Sequence, residues 1–446
     1  MIGTPLARDR AIDATMAVFR DPFRFILERA RCLGTDAFET RIALRPTICL
    51  TGIDGARLFY DPERFERRGA MPEPIQATLF GRGGVQMLDG EAHHHRKASF
   101  LALLDGPAIG RLGELADAEW VRAADRWADV DQVPLYDQAK QVLCRAVTAW
   151  AGVPVAESEV PGVARSLALL FEGPLALGPT HVASRFARWR LERWLADQIA
   201  ALRDGSLRPG PGSALDVIAR HRDLDGVLLP PRVAAVELLS VLRPTVAVSG
   251  FVTYVAMVLH RRPEWRDRIL ADPGDLDRFV QEVRRSCRFA PFVAARVRRT
   301  FEWEGRVFER GRLTLLDLFG IDHDPRIWSE PDRFRPDRFI DRAPSMYDFV
   351  PQGGGDVRTG HRCAGEAATI GLLRGAARLL AALSYEVPEQ DLRIPRSALP
   401  GLPRSGFVIS RVRRHHSIAR GDGETRRRDA VAVRLGVPSP YFQEER

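Results

Sequence analysis

FVPQGGGDVRTGHRCAGE, residues 349–366, sets glycines ahead of a single cysteine, Cys363, and leads directly into the helical run AATIGLLRGAARLLAAL. A thiolate at the start of a helix is stabilised by the N-terminal dipole and by free backbone N–H groups, which is how a metal-bound sulfur is kept anionic. Glycines let the backbone pass close to a flat ligand. On these residues alone, a metal-ligating thiolate and a buried structural thiol are both open. The other cysteines, Cys32, Cys49, Cys144 and Cys287, are far apart and never form a CxxC pair, so neither a disulfide framework nor a zinc ribbon is indicated.

Around this stretch lie 446 residues, enough for two to four ordinary domains or one large one. Hydrophobic residues at 45% and charged residues at 28% exclude a disordered chain, a collagen or a disulfide-stapled mini-protein. The formal charge of +8 comes almost wholly from arginine, with lysine only at Lys97 and Lys140, and it is spread along the chain. No basic face for nucleic acid is expected. The N-terminal MIGTPLARDRAIDATMAVF shows no signal segment. The longest uncharged apolar run, Val246 to Leu259, falls short of the roughly 20 residues that span a bilayer. A cytoplasmic, soluble protein without an integral membrane segment is the expectation.

Helical periodicity dominates, in 117–130, in 182–205 and above all in 230–260, whose second half is apolar all round and predicts a helix through the molecular centre. Strand-like alternation is confined to 40–52 and 405–413, so the fold class is mainly α with small sheets. The stretch from Glu330 to Gly360, rich in Pro, Gly and Asp, predicts an irregular segment, and one of this length inside a domain is usually functional. Residues 1–413 read as one domain and 414–446 as a charged, flexible C-terminal tail.

Two further motifs precede the cysteine. Glu282 and Arg285, in an ExxR spacing, share one helix face. Arg338 stands in a Pro-Asp-Arg-Phe unit within PDRFRPDRF. The order ExxR, then PDRF, then a glycine-rich loop ending in Cys with Gly two residues on, resembles the cytochrome P450 superfamily. The resemblance implies haem b held by Cys363 as axial ligand, with Glu282, Arg285 and Arg338 locking the irregular segment beneath it.

The central helix points to a branch. Where dioxygen-using members carry an acid followed by an alcohol to relay protons, this chain reads Leu242-Arg243-Pro244-Thr245-Val246. Thr245 is one residue late, and at about 100° per residue it should point elsewhere. Pro244 removes a helical N–H and favours a kink. A buried arginine needs an anion, and Glu237 is one candidate partner. The Arg-Pro pair is, however, similar to that of the bacterial fatty-acid peroxygenases of the superfamily, as are segments 48–70, 79–97, 349–366 and 402–413.

This second resemblance implies that Arg243 clamps a fatty-acid carboxylate, with hydrogen peroxide as co-substrate and no redox partner. It also places Arg243, Pro244 and Gln86 at the reaction, and Phe80, Phe289 and Phe292 on the substrate. It sets Arg67, His93, Lys97 and His361 against the haem propionates, which need cationic partners. The consecutive His93, His94 and His95 diverge on a helix and are not expected to converge on one metal ion. Cys287-Arg288-Phe289 departs from the Tyr-Pro-Phe usual after the ExxR helix, and Pro174 replaces a common aromatic, so chain-length preference is not set. The rival readings are a reductase-dependent monooxygenase acting on another acid and a non-catalytic haem sensor.

Overall fold

Proline sets the start of the central helix: Pro230 caps it, Pro231 is its first residue, and it runs to Arg261. Alanine, valine and leucine around its circumference leave no polar face, so other helices enclose it, chiefly Leu135–Ala151, Pro179–Arg203 and Glu366–Ala382. By length and composition it could cross a membrane, but most of its apolar stretch is buried inside the protein. The helix continues through Pro244 without interruption. Packing on all sides holds the turn that has lost its N–H. The hydroxyl of Thr245 donates back to the carbonyl of Val241 at 3.0 Å.

The computed structural model describes residues 5–174 and 178–414. The expected tail lies outside the described residues, except that Arg414 is the last residue of the strand Val408–Arg414. That strand therefore runs one residue past the expected domain limit. Residues 175–177, next to Pro174, are also outside the description.

Helices predominate, but the sheets exceed the sequence expectation. A six-stranded sheet has the order Ala7–Arg8, Ala37–Ile42, Arg45–Leu50, Leu313–Asp317, Phe292–Val297, Phe65–Glu66. Ile48 pairs in parallel with Thr314, and Phe292 pairs antiparallel with Asp317. Leu313–Asp317 escaped prediction because four of its five residues are buried, which erases the alternation that marks a half-exposed strand. A second sheet joins Leu383–Glu386, Val408–Arg414 and Gln132–Pro134. The irregular segment is as read: between Glu330 and Gly360 its one helical piece is a single 3₁₀ turn, Pro336–Phe339.

Candidate active site

Cys363 sits ahead of the helix Glu366–Ala382, whose cap is Gly365. Gln352 Nε2 approaches its sulfur at 3.8 Å, and the Cys363 N–H donates to the Gln352 carbonyl at 3.2 Å. Burial raises the thiol pKa; a hydrogen bond from the Gly365 N–H and the charges of Lys97 and Arg284 act against it. Gln352 is itself held, donating to Thr369 Oγ1 at 3.1 Å and accepting from Arg284 Nε at 3.1 Å. Arg284 also pairs with Glu366, which receives both Arg362 Nε at 2.7 Å and Arg362 Nη2 at 3.0 Å. The glycines of the loop pack under Tyr60. A Cβ on Gly354 would lie 2.7 Å from the Met346 carbonyl and 2.8 Å from the Tyr60 ring, so the close approach excludes a side chain.

Behind this network the ExxR helix, Pro273–Ser286, buries Glu282 and Arg285 completely. Arg285 Nε and Nη2 each reach Glu282 at 2.8 Å, and Arg338 Nε reaches it at 3.1 Å. The arginines continue outward to carbonyls: Arg285 to Asp322 at 2.6 Å and Pro331 at 2.9 Å, Arg338 to Ser329 at 2.7 Å. One carboxylate thus ties the ExxR helix to the irregular segment.

His93, Lys97 and His361 come together, with Arg67 close enough to act on His361 while its guanidinium donates to the Ala294 carbonyl at 2.7 Å. The His93 and His361 rings stack with centroids 3.9 Å apart, and His361 faces Asp89 at 3.7 Å. Asp89 accepts the backbone N–H of Arg67 at 2.8 Å. Lys97 donates to the carbonyls of Gly360 and, at 2.9 Å, Arg362, the residues flanking His361. Burial pulls Lys97 down to about 8, His93 to about 3 and His361 to about 4. An anion among them would restore their charge. His94 is exposed, and His95 Nε2 donates to the Arg222 carbonyl at 2.7 Å, so the three consecutive histidines face different surroundings.

Arg243 projects from the central helix, 8% exposed. Its Nε has no partner, and burial, with Arg188 nearby, pulls its pKa down to about 9, while the charge of Cys363 favours its protonated form. Glu237, the candidate partner in the sequence, is committed elsewhere: it accepts Arg96 Nη1 at 2.9 Å. The Phe80 ring lies 5.5 Å from the Arg243 guanidinium. Gln86 Nε2 donates to Ser240 Oγ at 3.0 Å, one turn before Arg243, and leaves its buried Oε1 unpartnered. Phe289 stacks on Phe251 at 4.3 Å, whereas Phe292 packs on the sheet cluster of Phe38, Cys49 and Leu315.

Sequence reading missed Gln352, Arg284, Glu366, Ser240 and Arg188. Only Glu366 had a local signal, as the residue that follows Cys-Ala-Gly. Arg188 comes from the helix Pro179–Arg203 and donates to the Phe80 carbonyl at 3.0 Å.

The residues fit a haem. One sulfur with two donors faces a tight glycine floor, and in the cluster around His361 Lys97 donates only to carbonyls while burial discharges His93 and His361, so two propionates would supply the negative charge that these groups need. Comparison with known proteins agrees. A sequence model of the family described as Cytochrome P450 matches residues 260–402. Cytochrome P450SP alpha (CYP152B1), solved in complex with (R)-ibuprofen, is 45% identical, with 90% of this chain and 99% of that one covered at a TM-score of 0.88. This chain belongs to the cytochrome P450 family.

Two other relatives refine the placement. Cytochrome P450EX alpha (CYP152N1), solved with myristic acid, is 41% identical over 93% of this chain and 100% of its own, with a TM-score of 0.89. A variant of cytochrome P450 OleT in complex with arachidonic acid is 32% identical over 92% and 99%, also at 0.89. By contrast, cytochrome P450 138 of Mycobacterium tuberculosis is 25% identical over 324 residues, 66% of this chain and 70% of that protein. This P450 is an oxidoreductase of the CYP152 fatty-acid peroxygenase group.

Proposed function

We propose that this P450 uses hydrogen peroxide to hydroxylate fatty acids at the α or β carbon, with Arg243 holding the substrate carboxylate. The observation that carries this reading is the buried guanidinium of Arg243, which has no carboxylate partner among the described residues while Glu237 serves Arg96. A buried unpaired charge costs several kcal/mol, and a fatty-acid carboxylate removes that cost. The relatives' bound acids, myristic and arachidonic, are of the matching chemistry.

Haem held by Cys363 supplies the oxidising chemistry, the thiolate's electron density favouring cleavage of the peroxide O–O bond. Arg67, His93, Lys97 and His361 hold the propionates. Arg243 orients the substrate carboxylate so that it carries a proton between the two peroxide oxygens, the task of the missing acid–alcohol pair. Thr245 does not take that part, because its hydroxyl is engaged with Val241. Clamping the carboxylate also fixes which carbons lie nearest the oxidant, and position selects the site. The balance is one C–H bond and one peroxide converted to one C–OH and one water: peroxide is the two-electron oxidant, and because it already stands two electrons below dioxygen no redox partner is required. Gln86 cannot titrate near neutral pH, and with no proton acceptor there, decarboxylation to a terminal alkene is a minor course. All five cysteines are free, which suits a reducing cytoplasm.

The test is incubation of the haem-loaded protein with hydrogen peroxide and a panel of saturated fatty acids, followed by gas chromatography. Hydroxy acids should exceed alkene, with peroxide alone sufficient. Turnover only with a ferredoxin system would make the protein a reductase-dependent monooxygenase instead.

A further inference from the structure

We propose that the exposed strip of the helix Pro179–Arg203 docks this P450 onto an anionic lipid surface. Val182, Phe186 and Trp189 are 68%, 57% and 51% exposed. With Arg193 they follow the spacing i, i+4, i+7, i+11, which places all four along one helix face. Phe186 and Trp189 stack with centroids 5.7 Å apart. The Arg190 guanidinium lies 6.0 Å from the Phe186 ring and that of Arg193 5.8 Å from the Trp189 ring. Arg185, also exposed, flanks the strip, and its nearby acid Glu73 is paired with Arg82. Among the described residues, the other exposed acid beside the strip is Asp197, a turn beyond Arg193. Aromatic and aliphatic side chains bordered by arginine are the composition of a helix that lies in a lipid interface, the rings at headgroup depth and the guanidinium groups on phosphate.

Charge decides among the occupants. A second copy docked about a twofold axis would set Arg185, Arg190 and Arg193 against the same three arginines. The C-terminal residues 415–446 carry six arginines against five acids, so they offer no complementary charge. An anionic lipid surface does.

The position of the strip also makes sense of such docking. On the opposite face of the same helix, Arg188 is buried and holds the Phe80 carbonyl, and the Phe80 ring meets Arg243. One helix, about 10–12 Å across, thus separates the strip from the wall of the site. Docking there brings a lipid-dissolved acid close to where it is clamped. The docking itself does not depend on which oxidant or carbon the enzyme uses.

Flotation of the full-length, haem-loaded protein with vesicles tests this without turnover. Vesicles of equal phosphatidylglycerol and phosphatidylcholine should bind at least about tenfold more protein than phosphatidylcholine alone, and salt should weaken the binding. The double variant Phe186→Ser/Trp189→Ser should lose about tenfold in partitioning. Arg185→Gln/Arg190→Gln/Arg193→Gln should fall to the level of neutral vesicles. Both variants should keep peroxide-driven turnover of a dissolved short-chain acid. The proposal is overturned by absence of flotation, by equal binding to neutral vesicles, or by variants that bind like the parent. A concentration-dependent dimer in sedimentation that the Phe186/Trp189 variant abolishes would assign the strip to a second copy and overturn it equally.

Discussion

Two polar regions flank the place where the haem fits, and they are built differently. Below it, around Cys363, two buried glutamates each take two arginines: Glu282 takes Arg285 and Arg338, and Glu366 takes Arg284 and Arg362. Above it, beside the central helix, buried polar atoms stand unpartnered at Arg243 Nε and Gln86 Oε1. Leaving a buried polar group unmade costs about 1–3 kcal/mol, and at Arg243 a substrate carboxylate would remove that cost. The satisfied network is scaffold. The unsatisfied one is where the proposed function puts the substrate.

The strongest way to break this contrast is to open the scaffold. Glu282→Ala strands two buried guanidinium groups, and removal of one partner from a buried ion pair costs about 3–5 kcal/mol. Little folded haem protein should accumulate, as read by the yield of soluble protein and its denaturant midpoint. A stable Glu282→Ala protein would show that the pairing is not what holds the irregular segment. Cys363→Ala should be milder for folding but should abolish the red-shifted Soret band of the ferrous carbonyl complex, and a variant that kept that band would remove Cys363 from the ligand role.

On the substrate side the effects are smaller. Burial raises Glu237 to about 7 from an ordinary 4.5, in spite of Arg96. The folded state therefore holds this proton more tightly than the unfolded chain. The stability it contributes is full below about 4.5 and is lost as pH rises to about 7, by up to about 3 kcal/mol. Thermal unfolding of Glu237→Gln should accordingly depend less on pH across that window than that of the parent; equal slopes would contradict the burial effect. The smallest change expected is in product partition: Gln86→His supplies a titratable group and should raise the alkene fraction several-fold at most, measured by gas chromatography.

The sequence was most legible where chemistry is local. The loop 349–366 carries its cysteine, glycines and following helix in one run, and ExxR needs only helical spacing to bring Glu282 onto Arg285. The partners of Arg243 were not legible. Whether it pairs with Glu237 depends on Arg96, 141 residues away from that glutamate, and no spacing rule reports such a contact. Gln352 lay inside the quoted loop yet gave no signal, since its role depends on Arg284 arriving from another helix. The strand Leu313–Asp317 was missed for a different reason, because the sheet interior leaves little alternation to read.

The central claim is that Arg243 is left unpaired to receive a carboxylate. Arg243→Ala tests it most directly, with peroxide-driven fatty-acid turnover and the haem spectrum measured on the same preparation. Loss of a charge-assisted, bidentate contact in a desolvated site should lower turnover by about a hundredfold or more, with haem content and thiolate spectrum unchanged. Parent-like fatty-acid turnover by Arg243→Ala would contradict the claim.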